Sequence, residues 1–497
     1  MKKVSTLIAL ALLAVAGTGL AVTCAQDNVP GATLLVPYFR VSRNGVTSVG
    51  TDIPDVLGQT DTLMAITNVS DTGLIVHATV WNKYSFPVLD FNIPMTAKDV
   101  ATFRMKDILN GKLNVNPNTQ NVSPQKDPCG INQSTNSYAP SVGFGATKYI
   151  RFSNPDSLDR VQSISVYANP AFSGTFRRNV WDSLDESGDV TSFTAPGAFV
   201  IDDDNRCAGS VDGAFSGDFS GYITFDVVNY CTNFFPDQID YYSKDAIATA
   251  GWDGYGPNAI MGDVFYVDSN STNGNISGDP MVPLEFDADL DWRFDKTFYG
   301  RYRTTGSDSL AVPAAQAPYA FIGDGREPLG QHYAFRYLSD AAAGLQTWAL
   351  VWRSDLYDNP TVSPDINLCD WWADPTPGTG LWDDVHQLDV RTFDSDENEF
   401  VTSGGPSPGA TSQPLYIFLE AQRIDLLGNG DINPGGFKGG WIDLRMPGNF
   451  DNQAWVGVQH TGLAAFLSVG HGATLLTTDE SDLICASIET RAGKATK

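Results

Sequence analysis

The sequence predicts an all-β fold: two related antiparallel β-sandwich (Ig-like) domains carrying long loop insertions. Three observations lead there. Short alternating or apolar runs recur between Gly, Pro, Asn and Asp residues, helical periodicity is nearly absent beyond residue 26, and two stretches of the first half return in the second. Alternation puts successive side chains on opposite faces of a strand, and the intervening Gly, Pro and Asn supply turns. The composition agrees. With 42% hydrophobic residues, 47 Gly and 28 Pro among 497 positions, the chain can bury sizeable cores while turning often.

The elements follow in order. Met1-Lys2-Lys3 and the small-apolar run over 4–20 read as a secretory signal peptide, residues 1–25, since a basic start and a short apolar stretch form an export signal rather than a membrane span. Cleavage fits after Ala21 or after Ala25. Lipid anchoring at Cys24 is the minor alternative, because the preceding Thr23 is not the Gly, Ala or Ser that lipoprotein signals prefer. Secretion to the periplasm, the outer surface or the medium is the expectation. Strands are expected over 32–41, 62–68, 74–81, 222–228, 264–268, 415–422, 441–446 and 454–460. Residues 104–110 have the pattern of one or two helical turns closed by Gly111.

Two echoes organise these strands. Ile66-Thr-Asn-Val-Ser70-Asp71, Gly73 and a strand ending in Val80-Trp81 return as Phe335-Arg-Tyr-Leu-Ser339-Asp340, Gly344 and a strand ending in Val351-Trp352. Gly221-Tyr-Ile-Thr-Phe-Asp-Val returns as Gly440-Trp-Ile-Asp-Leu-Arg-Met. In the latter pair Ile223, Phe225 and Val227, or Ile442, Leu444 and Met446, line the core face, while Thr224 and Asp226, or Asp443 and Arg445, face away. The same order in both halves predicts one domain over 26–290 and a second over 291–490. Insertions are read at 112–145 and 179–220, and a Pro/Gly-rich loop at 403–414.

Charge and cysteines bound the function. The 31 Lys and Arg against 58 Asp and Glu leave a net charge of −27, which argues against nucleic acid and anionic lipid as partners. No stretch beyond the leader reaches the 18 apolar residues of a membrane span. An outer-membrane barrel is disfavoured by the abundant Pro, scattered cysteines and an ending Gly-Lys-Ala-Thr-Lys. Cys129, Cys207, Cys231, Cys369 and Cys485 contain no CxxC pair, so an oxidising compartment would give two disulfides and one thiol rather than a zinc site. Cys207 and Cys231 are nearest in sequence.

Catalytic signatures are missing. There is no Gly-x-Ser-x-Gly elbow, HExxH, Walker loop or strand-linked GxGxxG. Among five histidines, His77 shares a strand face with Ile75, Thr79 and Trp81, and His460 and His471 fall on neighbouring strands. Carboxylates offer more. Glu285, Asp287, Asp289 and Asp291 alternate with Phe286, Ala288, Leu290 and Trp292, giving either an acidic outer face that blocks edge pairing or a Ca²⁺ site. Asp394, Asp396 and Asn398, and likewise Asn429, Asp431 and Asn433, place oxygen ligands at alternate loop positions, though neither loop has the glycine and glutamate of an EF-hand. Trp371 and Trp372 stand beside Cys369, Asp370 and Asp374. Adjacent strand residues face opposite ways, so one of this pair suits either a lid on the core or a stacking surface for a sugar ring.

Leu34-Leu-Val-Pro-Tyr-Phe39, Phe86-Pro-Val-Leu-Asp-Phe91, Thr297-Phe-Tyr-Gly-Arg-Tyr302, Arg326-Glu-Pro-Leu-Gly330, Val351-Trp-Arg353 and Gln453-Ala-Trp-Val456 together resemble an uncharacterised family of secreted bacterial all-β proteins with no assigned activity. The resemblance implies fold and export, and no functional residue. The expected function is that of an exported cell-surface or extracellular structural or adhesion protein without catalysis, with self-association or other surface proteins as partners. The alternative is a carbohydrate-binding or glycan-active protein, with glycans as ligands.

Overall fold

The computed structural model describes residues 29–42, 60–83, 87–109, 218–228, 257–268, 275–286, 326–340, 344–353, 387–396, 398–400, 413–416, 421–425, 437–445, 453–462, 468–472 and 474–475, with shorter pieces at 151–154, 162–165, 184, 200–201, 207–208, 236, 298–299 and 342. In the first half the strands are β1 (Thr33–Val41), β2 (Thr60–Asn68), β3 (Leu74–Asn82), β4 (Pro87–Met95), β5 (Val100–Arg104), β6 (Arg151–Asn154), β7 (Gln162–Ser165), β8 (Val200–Ile201), β9 (Cys207–Ala208), β10 (Phe219–Val228), β11 (Ile260–Asp268), β12 (Asn275–Pro280) and β13 (Val282–Leu284). The second half contributes β14 (His332–Leu338), β15 (Gln346–Arg353), β16 (Gln387–Asp394), β17 (Glu399–Phe400), β18 (Gln413–Tyr416), β19 (Ala421–Asp425), β20 (Gly439–Arg445), β21 (Ala454–Thr461), β22 (Ser468–Gly472) and β23 (Thr474–Leu475). One short helix, α1 (Met105–Leu109), falls where the sequence places helical turns.

The strands pair antiparallel in four main sheets. Sheet I runs β13-β1-β10-β3-β4-β6-β7, sheet II β12-β11-β2-β5, sheet III β17-β16-β20-β14-β23 with β18 also on β16, and sheet IV β19-β15-β21-β22. Sheets I and II share one apolar core, with Leu34, Val36, Val80, Ile223, Phe225 and Val227 from the former and Met64, Ile66, Phe103 and Val264 from the latter. Sheets III and IV share another, through Tyr333, Phe335, Tyr337, Ile442 and Leu444 against Ala349, Val351, Val456 and Val458. The all-β expectation therefore holds, and an architecture of facing sheets fits a β-sandwich.

The two halves repeat one strand order. β13-β1-β10-β3 corresponds to β23-β14-β20-β16, and β12-β11-β2-β5 to β22-β21-β15-β19. The echo of Gly221 in Gly440 respects this order, since β10 and β20 occupy equivalent places. Their shared glycine has a shared reason: a Cβ would lie 2.0 Å from the Trp81 carbonyl oxygen at Gly221 and 1.8 Å from that of Phe393 at Gly440. The other echo is displaced by one strand. It aligns β2 and β3 with β14 and β15, whereas the sheets pair β2 with β15 and β3 with β16. Both Ser-Asp turns carry the chain from one sheet to the facing one, so the motif marks a crossing rather than a place in the repeat.

Two further expectations change. The run 415–422 is not one strand; it spans the end of β18 in sheet III and the start of β19 in sheet IV. Thr224 and Asp226 do face away from the sheet I–II core, but both are fully buried. A third cluster covers them: Leu35, Trp81 and Tyr222 of sheet I meet Val282, Leu284, Phe298, Tyr299 and Leu329, then Trp352 and Ala421 of sheet IV. The two echoed tryptophans are thereby joined through Tyr222, stacked on Trp81 at 5.5 Å and edge-on to Trp352 at 5.8 Å.

Candidate functional site

The acidic candidates are partly within the described residues. Glu285 is half-buried beyond β13, where its carbonyl accepts the Glu327 N–H at 2.9 Å. Asp287, Asp289 and Asp291 lie outside the described residues, as do Asn429, Asp431, Asn433, Trp371 and Trp372. Asp394 ends β16, and its carboxylate closes a turn. Oδ1 accepts the Asp396 and Asn398 N–H groups, each at 2.8 Å, and Oδ2 accepts the Asn398 side-chain amide at 2.8 Å. The Asn398 side-chain bond, followed by the backbone N–H bonds, holds the Asp394 carboxyl below the usual carboxylate range. The alternating oxygen residues of this loop therefore serve the turn itself. Among the described residues no group of three or more His, Cys, Asp or Glu could hold a metal.

Histidine and cysteine placement is similarly local. His77 is fully buried on β3. His460 lies opposite Val469 and His471 opposite Val458, a diagonal rather than a facing pair, and His460 Nδ1 is 2.9 Å from Thr347 Oγ1. Cys207 sits in β9, and its expected partner Cys231 lies outside the described residues.

Sequence reasoning missed a buried ionic cluster where the halves meet. Asp226 accepts from Thr33 Oγ1 at 2.5 Å and from Tyr299 OH at 2.9 Å, and Arg326 Nε stands 3.4 Å from its Oδ1 while also bonding Thr33 Oγ1. Asp226 is 0% and Arg326 3% exposed, so this cluster ties elements together and is closed to any ligand. Nearby, a cleft of about 50 Å³ opens between Tyr38, Arg40 and Tyr266 on one side and Leu350, Arg423 and Gln459 on the other. Its larger polar side chains are engaged within the protein. Arg40 pairs with Asp218 at 2.5 Å, Arg423 lies 3.5 Å over the Trp348 ring, Gln459 donates to Ser277 at 2.7 Å, and Tyr266 donates to the Tyr38 carbonyl at 2.8 Å. Burial raises the Tyr266 phenol well above its usual pKa, keeping it a donor. A space of this size holds a water or two, whereas substrate pockets run to roughly 300–1,000 Å³.

Among the described residues, the exposed large apolar side chains gather on two sheet faces. The outer face of sheet II presents Leu63, Thr67, Met261, Phe265, Val267 and Ile276, with Val100 on β5, following the β2–β11, β2–β5 and β11–β12 registers. Val100, Phe265 and Ile276 are 47%, 38% and 61% exposed, three of the four exposed large apolar residues of the described chain. The fourth, Leu338 at 46%, lies on the outer face of sheet III. There the registers set Arg336 beside Trp441 beside Phe393, then Asp443 beside Arg391, then His332 beside Arg445. Trp441 and Phe393 stack face to face at 4.0 Å and 5°, so they form a ridge rather than the flat platform a sugar ring prefers. His332 Nε2 engages Asp443, Arg391 reaches Glu399 only at 3.9 Å, and Arg336 and Arg445 are exposed. The face carries charges of both signs, Arg336, Arg391 and Arg445 set among Asp443 and Glu399. No helix among the described residues is long and apolar enough to cross a membrane.

Comparison with protein-family models, curated proteins and solved structures finds no match to this chain. The functional reading therefore rests on these surfaces.

Proposed function

We propose that the chain is an exported cell-surface or extracellular structural protein of the adhesion type, built from two related Ig-like sandwich domains and acting through its faces rather than through catalysis. The observation that carries this reading is the contrast between closed and open regions. The polar clusters enclosed between the halves are satisfied internally, while the broad outer faces of sheets II and III leave apolar and charged side chains in solvent. Surfaces of this breadth suit macromolecular contacts. The leader-like N-terminus supports export, and the repeated strand order supports two related domains. The alternative is a carbohydrate-binding or glycan-active protein, with Trp371 and Trp372 as its sugar-stacking residues; any calcium falls to the acidic positions other than the Asp394 turn.

The test is genetic and biochemical. Surface fractions of producing cells are expected to contain the chain, and its deletion to weaken attachment or envelope cohesion, with purified protein restoring it. Turnover of a glycan or peptide substrate, abolished by one acidic substitution, would overturn the reading.

A further inference from the structure

We infer that this chain assembles head-to-tail with further copies of itself, the outer face of sheet II on one copy seating on the outer face of sheet III on the next. The inference rests on the proposed reading of two related sandwich domains. Within one chain, the strand order makes sheet I equivalent to sheet III and sheet II equivalent to sheet IV. Sheets I and IV already meet. Trp352 and Ala421 on the outer face of sheet IV enter the cluster formed by Leu35, Trp81 and Tyr222 on the outer face of sheet I. The Ala421 N–H also reaches the Lys83 carbonyl at 3.4 Å. Among the described residues, the equivalents of those two faces carry the exposed large apolar side chains, sheet II on the first half and sheet III on the second.

A contact between unlike faces leaves the same two faces free at the ends of each pair. Repeated between copies, it adds further copies, as a ring where the rotation closes and a filament where it does not, instead of stopping at a symmetric dimer. The two faces share exposed apolar chemistry. All four exposed large apolar side chains of the described residues lie on them, Val100, Phe265 and Ile276 on one and Leu338 on the other. Both faces carry charges of both signs, Asp263 and Arg104 on sheet II and Arg336, Arg391 and Arg445 with Asp443 and Glu399 on sheet III, so what the two faces share is their exposed apolar side chains. The Trp441–Phe393 ridge on sheet III stands where Trp81 and Tyr222 stand on the equivalent sheet I, whose outer face is already occupied by sheet IV. The occupant is therefore a second copy of the chain.

Sedimentation velocity on the full mature secreted protein, run across a concentration series, tests this directly. The wild type is expected to grow in mass with concentration past the dimer. Ile276→Arg blocks one end and Leu338→Arg the other; each alone is expected to stay monomeric, its association weakened about 100-fold or more by the unpaired buried charge. Mixed one to one, each variant still owns one intact face, and the mixture should form dimers and stop there. Val100→Arg and Arg336→Glu repeat the design at independent positions, with circular dichroism and the thermal midpoint verifying the fold of each variant. A monomeric wild type at every concentration, a dimer that does not grow, or variants that assemble like the wild type would each overturn the inference. Such an outcome leaves the attachment experiment untouched, and failed attachment by an assembling protein would overturn the adhesion reading alone.

Discussion

Gly221 and Gly440 show how far a single residue can be argued from the fold. Each lies near the start of its strand beneath a neighbouring carbonyl that a Cβ would strike, and backbone cannot retreat as a flexible side chain can. Alanine at either position is expected to destabilise by about 1–3 kcal/mol or more, read from the urea midpoint. Asp394 makes a prediction in pH. Its folded-state pKa is depressed, chiefly by Asn398, so the stability of its turn is complete above the unfolded carboxylate value of about 3.9 and is lost as pH falls through the lower folded value. Asp394→Asn should therefore be less stable than the wild type at neutral pH, with the gap closing below about pH 4; parallel pH curves would contradict the assignment. Asp61 works in the opposite direction. Burial, its largest influence, raises its pKa against the opposing bonds from Lys106 and Arg104, so its contribution is present at low pH and is lost as pH rises through the folded value.

Among the elements, the crossing from β2 to β3 illustrates why polar residues recur at sheet changes. Asn68 is fully buried, and its side-chain amide donates to the carbonyls of Thr72 and Thr96, both at 2.8 Å, while its oxygen accepts the Ser70 N–H at 2.9 Å. Asn68→Ala would strand these groups and cost about 1–3 kcal/mol, measured by chemical denaturation. At the second crossing the same task falls to Asp340 and Gly344. Asp340 and Leu345 exchange backbone bonds at 2.9 Å, and Gly344 takes a φ of 63° that a side chain would strain. Both crossings were legible as polar turns. Their place in the repeat was not, because the turn chemistry is common to any jump between facing sheets.

For the whole molecule, the cluster between the halves sets cooperativity. Trp352 is 1% exposed and stacks on Phe298 at 5.2 Å while meeting Tyr222. Trp352→Ala is expected to cost about 3–5 kcal/mol and to split a single calorimetric transition into two as the halves uncouple. Arg326→Met leaves Asp226 charged and buried without its ion-pair partner, again about 3–5 kcal/mol, whereas Arg326→Met with Asp226→Leu should recover most of the loss. A double variant as unstable as the single one would show that hydrogen bonding by Thr33 and Tyr299, rather than the buried charge, dominates there.

Period-two alternation in runs such as Leu74–Asn82 and Phe219–Val228, with the Gly-aromatic echo, determined the all-β class, the positions of β1, β2, β3, β10, β11, β20 and β21 and the inward faces of β10 and β20. These are local properties, dictated by strand geometry. β4 was harder to read, since Pro87 and Pro94 break its pattern although β3 and β6 flank it in the sheet. Only the tertiary structure decided that Thr224 and Asp226, polar residues on an apparent solvent face, lie beneath a second layer. It also turned the calcium-like spacing around Asp394 into a closed turn, and left the faces of sheets II and III open. Alternation separates one face of a strand from the other. Which of them meets water depends on residues 100 or more positions away, as Arg326 and Trp352 are from Asp226 and Tyr222, and local sequence has no means of recording that.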